Sequence, residues 1–145
     1  MKAKHACGHE PYEYYKYEAT KDAGLKSCCA SIYEIPPLKS NYPYHYHMKN
    51  EEIFYIISGR GILETDEGLK TVSAGDMMLC PAGEKGAHKI TNTSGTEKLV
   101  YIDFDTANMP EAVVYPHSGK IGVKTGAAKN EYYKRDTQVD YYTDE

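Results

Sequence analysis

The 145 residues suit a single domain, and the 41% hydrophobic and 26% charged shares are those of a globular chain, which excludes an extended disordered one. A formal charge of -4, from 17 basic and 21 acidic side chains without a basic stripe, speaks against a nucleic-acid reader. The longest apolar runs, such as Ile53–Ile57, fall far short of the roughly 20 residues that span a bilayer, so no membrane segment is expected.

The chain starts with a basic flank, Met1-Lys2-Ala3-Lys4, but no apolar stretch follows, so an export leader is not expected. Cys7, Cys28, Cys29 and Cys80 are too few and too unevenly spaced for a disulfide framework, which points to a reducing cytoplasm and free thiols. Tyrosine is abundant, 15 residues against 2 Phe and no Trp, a composition that favours partly wet pockets and interfaces. Residues 1–25, with Tyr12, Tyr14, Tyr15 and Tyr17, read as an N-terminal arm or strand lying on another surface.

From Lys26 the pattern becomes one of short strands separated by turn signals. They are expected at Cys28–Ile35, Tyr44–His47, Glu52–Ser58, Ile62–Thr65, Lys70–Val72, Met77–Cys80, Ala87–Thr91 and Leu99–Phe104. Turn residues such as Pro36-Pro37, Ser58-Gly59, Ala74-Gly75-Asp76 and Pro81-Ala82-Gly83 punctuate them, and no long window shows a helical apolar stripe. Residues 26–105 are therefore all-β, a sandwich or barrel. Glu52–Ser58 is apolar on both faces, which predicts that its outer face is covered by the arm or by a second subunit, and a homodimer is the expected state. Residues 106–145 form an irregular C-terminal extension, with Val113–Pro116 able to add an edge strand.

Chemistry concentrates in the middle of the chain. His45 and His47 stand two apart, so on a strand they project from one face. Glu52 follows five residues later and, facing the same way as Phe54 and Ile56, should point inward. His88 opens another expected strand. Three imidazoles and a carboxylate suit one divalent transition ion, Fe, Mn, Ni, Co or Zn, with positions left for water or substrate. Cys80, Asn92 and Tyr101 are candidates for the pocket or for supporting the ligands, although Asn92 reads equally well as a satisfied core amide and Cys80 as a buried inert thiol. Because ligation needs neutral imidazoles, affinity is expected to fall as the pH drops through roughly 6. His5, Cys7 and His9 alternate and offer a second, weaker set of donors on a terminus expected to be mobile.

The spacing His45-x-His47-x4-Glu52-x6-Gly59 resembles the first motif of the cupin superfamily. Gly75-x5-Pro81-x-Gly83-x4-His88-x3-Asn92 resembles the second, with two extra residues between Gly83 and His88. The likeness spans about residues 40–105. Pro36-Pro37 and Val114-Tyr115-Pro116-x-Ser118-Gly119-Lys120 further resemble a group of small one-domain cupins with no assigned reaction. The resemblance implies a double-stranded β-helix (jelly-roll) barrel whose metal is held by His45, His47, Glu52 and His88. It also departs from the pattern: the glycine that usually opens the first motif is absent, and the longer Glu84–Ala87 loop could displace His88 or build a pocket rim. Cupins with this ligand set include dioxygenases, isomerases and decarboxylases, so a small-molecule metalloenzyme is the leading expectation. The alternatives are a metal-dependent sugar- or carboxylate-binding module without catalysis, and a metal that merely ties strands together.

Overall fold

Alternation of buried and exposed side chains sets the strands of this molecule, most plainly in Glu52–Ser58, where Glu52, Phe54 and Ile56 are buried and Ile53, Tyr55 and Ile57 are exposed. The structure is a computed structural model that describes residues 3–126 and 129–144. Met1 and Lys2 of the expected arm, and Ala127, Ala128 and Glu145 of the expected tail, lie outside the described residues. The strands, in chain order, are β1 (Lys4–His9), β2 (Tyr12–Glu18), β3 (Cys28–Ile35), β4 (Tyr46–His47), β5 (Glu52–Ser58), β6 (Arg60–Thr65), β7 (Gly68–Ser73), β8 (Met77–Cys80), β9 (His88–Asn92), β10 (Leu99–Thr106), β11 (Glu111–Tyr115), β12 (Lys120–Lys124) and β13 (Glu131–Lys134). Among the described residues the only helical segments are short 3-10 turns, and no helix is long and apolar enough to cross a membrane.

The strands form three sheets, of order β1-β2-β3-β10-β5-β8, β13-β12-β11-β4 and β7-β6-β9. Their ladders do not close into one continuous barrel. Single bridges link them instead: His45 pairs with His88, and Ser40 with Thr91. The core packs inward-facing residues of the large sheet (Tyr33, Ile35, Phe54, Ile56, Leu99, Tyr101) against Leu63, Val72 and Ile90 of the three-stranded one. Tyr33 and Tyr101 stack with ring centroids 5.1 Å apart, and Phe54 meets Tyr101 edge-on at 5.7 Å.

Two terminal segments are more regular than the sequence suggests. The arm is a hairpin, β1–β2, whose second strand extends the large sheet along β3. His5 spends its donors locally, with its ring stacked on Tyr15 and Nε2 3.0 Å from Glu13, so β1 does not present a loose terminal donor set. The C-terminal extension, expected to be irregular beyond one edge strand, contributes β11, β12 and β13, and β11 pairs with β4. β12 is half-buried apart from Gly122 and β13 is exposed along its length, so neither carries the alternation of buried and exposed side chains that marks a strand, which is why the sequence suggests fewer strands here than the fold contains.

Glycine is obligatory at two turns that matter here. Gly59 sits at φ 86 where β5 turns into β6, and a Cβ there would lie 2.4 Å from the Lys98 carbonyl oxygen. Gly86 ends the 3-10 turn Glu84–Gly86 against the backbone of Pro81, with no room for any side chain.

Candidate metal centre

The short strand β4 and the bridge ahead of it bring two imidazoles to the mouth of the fold. His45 and His88 are cross-bridge partners whose backbones exchange hydrogen bonds in both directions (3.1 and 2.9 Å), so their rings lie side by side with centroids 4.7 Å apart. His47 follows two residues on, its ring 5.4 Å from that of His45. Glu52 opens β5 and is buried, directed to the same point.

The tautomers are fixed by backbone. His45 Nδ1 lies 2.8 Å from the Pro43 carbonyl oxygen and His88 Nδ1 2.9 Å from that of Gly86. A carbonyl only accepts, so both Nδ1 atoms carry the proton and both Nε2 atoms present a lone pair. His88 Nε2 stands 3.3 Å from Glu52 Oε2, and His47 Nε2 stands 3.5 Å from Glu52 Oε1. One donor atom each from His45, Glu52 and His88 lies within 4.8 Å of the others. His45, Glu52 and His88 thus form a three-donor group with the spacing a shared divalent ion could use, while His47 stands outside that group and approaches it through Glu52 Oε1.

Electrostatics agree with that use. Burial depresses His88 to about 4, and burial together with the neighbouring imidazoles holds His45 well below its usual value. Burial and nearby Lys124 lower His47, against the pull of Glu111. Burial and the Asp105 carboxylate push Glu52 up to about 8, with Lys124 and Lys16 opposing. At neutral pH these contacts are thus not ion pairs. They are neutral nitrogen donors beside a carboxyl group that only a cation, or a proton, makes comfortable.

The longer loop before His88 anchors the site rather than displacing it. Its 3-10 turn supplies the Gly86 carbonyl that orients His88, and the Gly83 N–H donates to the His47 carbonyl at 2.7 Å. Glu111, from β11, has no place in either sequence motif. Its fully buried carboxylate accepts from the backbone N–H groups of Asn50 (2.8 Å), Ala112 (2.8 Å) and Lys49 (3.2 Å), and from the Asn50 amide. So held, it faces His47 Nδ1 at 3.6 Å, and that nitrogen is buried without a hydrogen-bond partner. Glu111 is therefore the group that orients His47.

His45, His47 and Glu52 open onto a hollow of about 260 Å³ bordered also by Lys16, Asp103, Asp105, Tyr115, Lys124 and Tyr132, with His88 buried behind them. Three residues expected near this pocket do not border it. Tyr101 is fully buried in the core, its hydroxyl accepting from the Asn41 amide at 2.8 Å. The Asn92 amide is taken up by the carbonyls of Ile35, Pro36 and Glu97. Cys80 pairs with Glu52 across the ladder but faces a separate hollow of about 440 Å³ between β6, β7 and β8. Burial and the Glu52 carboxylate push its thiol up to about 12, which makes it a poor nucleophile. Asp103 and Asp105, in contrast, are readable from the sequence, since Tyr101-x-Asp103-x-Asp105 alternates on one strand face.

Residues 31–105, just over half the chain, match the model of the cupin domain. The chain is a cupin. An uncharacterised protein of Acanthamoeba polyphaga mimivirus is 32% identical over 103 residues, which cover 66% of this cupin and 63% of that protein. The match spans less than two thirds of the length of the curated relatives. A crystal structure from Acidithiobacillus ferrooxidans shares the fold with a TM-score of 0.84 at 23% identity, over 97% of this chain and 89% of that one. Another, described as a sugar phosphate isomerase of the cupin superfamily from Silicibacter pomeroyi, gives 0.78 at 19% identity, over 89% and 81%.

Proposed function

We propose that this cupin holds one divalent transition ion (Fe, Mn, Ni, Co or Zn) on His45, His47, Glu52 and His88 and acts as a small-molecule metalloenzyme on an oxygen-rich anionic substrate. The observation that carries the reading is the pair of backbone-locked imidazoles, His45 and His88, whose Nε2 lone pairs turn toward the Glu52 carboxyl. Borderline nitrogen donors with one carboxylate suit these ions better than Mg or Ca. When bound, such an ion supplies Lewis acidity toward an oxygen of the substrate. The rest of the hollow supplies charge and shape. Lys16 from β2 and Lys124 from β12 border it from opposite sheets and would hold a phosphate or carboxylate group. Tyr115 and Tyr132 would close over the uncharged part of the molecule. A phosphorylated sugar, the substrate class in the description of the Silicibacter pomeroyi protein, has this combination of charge and hydroxyl groups.

Pairing with a second copy belongs to the same proposal, as does residence in the cytoplasm. On the outer face of the large sheet Phe104, Ile53 and Leu79 form one cross-strand row, and Ile102, Tyr55 and Met77 form the next. Ile53, Tyr55, Met77, Leu79 and Phe104 are all exposed, and the N-terminal hairpin leaves them uncovered. A continuous apolar face of this kind marks an interaction site, and a two-fold pairing of like faces satisfies it.

Metal content of the purified protein tests the central reading. The wild type should retain one ion per chain, and His88→Ala and Glu52→Ala should each lose it. A screen of phosphorylated and carboxylated sugars, with and without chelator, then tests turnover. Unchanged metal content in both variants would refute the assignment, and ligand binding without turnover would favour the binding-module alternative.

A further inference from the structure

Behind the imidazoles lies a second group of donors that the proposed metalloenzyme does not use. Asp103 and Asp105 stand two apart on β10, and the β10–β5 ladder sets Asp105 directly opposite Glu52. One carboxylate oxygen from each of Glu52, Asp103 and Asp105 lies within 4.8 Å of the others. Asp103 is only 4% exposed, and its Oδ1, like Oδ1 of Asp105, is buried with no hydrogen-bond partner among the described residues. The surrounding groups answer this charge only in part. Cys29 donates its thiol to Asp105 Oδ2 at 3.6 Å, and Lys16 and Lys124 border the hollow, with Lys16 Nζ lying 5.2 Å from the Tyr33 ring centre.

Three carboxylates this close repel one another strongly in a site shielded from water, and buried charges persist only when paired or bound to a cation. The donors are all carboxylate oxygens, the set preferred by hard divalent cations such as Mn, Mg or Ca and not by the softer ions of an imidazole site. Oxygen donors about 2.2–2.5 Å from a common cation stand at most about 5 Å apart, which matches the observed spacing.

We propose that Asp103, Asp105 and Glu52 form a second, oxygen-only cation site beside the imidazole centre. The proposal rests on the metal-centre reading in one respect: Glu52 belongs to both donor groups, so its carboxylate would be shared between the two sites.

The test uses the full chain, stripped of metal and reloaded with one equivalent of zinc, which the imidazole site prefers. Manganese is then titrated and free Mn2+ followed by its electron paramagnetic resonance signal. Zinc-loaded wild type should take up one Mn2+ per chain. The Asp103→Asn/Asp105→Asn double variant should keep its zinc and bind Mn2+ at least about tenfold more weakly. If that variant does not fold by circular dichroism, Asp105→Asn alone, at a half-buried position, serves in its place. No Mn2+ uptake by zinc-loaded wild type, or equal uptake by wild type and the Asn variant, overturns the proposal. Failure of the wild type to hold zinc would instead overturn the imidazole reading. The acidic site is then decided by titrating Mn2+ into the metal-free wild type and Asn variant, where uptake weakened in the variant supports it and absent or equal uptake overturns it.

Discussion

Returning zinc to the metal-stripped protein at a series of pH values should release about one proton per ion bound between about pH 8 and pH 6, and that proton should come from Glu52. Three imidazoles at their ordinary reference value would instead begin to compete with the ion near 6.5. Here burial keeps His88 neutral down to about 4 and lowers His45 and His47 as well, so proton competition at the imidazoles moves below the range set by the reference value. Glu52, held up to about 8 first by burial and then by Asp105, is protonated across most of the span from about pH 8 to pH 6. Each ion bound must therefore displace one proton, so the logarithm of the affinity falls by one for every pH unit. Because about half of Glu52 is already ionised at pH 8, the loss from pH 8 to pH 6 is about fiftyfold, or about 2.3 kcal/mol. The affinity is read by competition with a chromophoric chelator, and proton release by calorimetry in buffers of different ionisation heat. Glu52→Gln should bind more weakly and lose the slope. An affinity flat from pH 8 to 6.5 that then collapses with the loss of two or three protons would refute the reasoning and restore the expectation drawn from the sequence.

Three further outcomes follow from the geometry. Glu111→Gln keeps the shape of the side chain but loses the charge facing His47 Nδ1; metal affinity should fall about 10- to 100-fold while the circular dichroism spectrum is retained, and an unchanged affinity would remove Glu111 from the site. Gly59→Ala must absorb the strain of positive φ and of a Cβ 2.4 Å from the Lys98 carbonyl oxygen, whereas Gly68→Ala, at φ 110, meets nothing within 4 Å. The first should lose about 2–5 kcal/mol and the second about 1–2, and equal urea midpoints would contradict the close approach of the β5–β6 turn to β10. Lysine at both Tyr55 and Leu79 on the outer face should halve the mass seen by light scattering at micromolar concentration, and a wild type that already runs as a monomer would dispose of the pairing.

What the sequence disclosed depended on how local the determinant was. β5 and β8 have the bounds expected of them because alternation and flanking turns are written within each segment. Glu52 is aimed inward by the same alternation. β4 is only Tyr46–His47, shorter than the expected Tyr44–His47, because His45 forms a single bridge with His88 while the ladder to β11 begins one residue later. Glu111 carries no local signal at all, since its meaning comes from backbone donors at Lys49 and Asn50 some sixty residues earlier. The lowered imidazoles are equally hidden, because a reference value describes a solvated ring and these are enclosed.

The matched cupin region ends at residue 105, yet Glu111, Tyr115, Lys124 and Tyr132, which orient one imidazole and wall the hollow, all come after it. The proposed ion donors thus lie inside the matched region while most of the hollow's wall lies after it, the two joined through the β4–β11 ladder. Such a layout lets substitutions at Tyr115, Lys124 and Tyr132 retune which molecule is admitted while Glu111 keeps its place beside His47. A chimera that takes another cupin's segment only beyond Glu111 should keep its ion and change its guest.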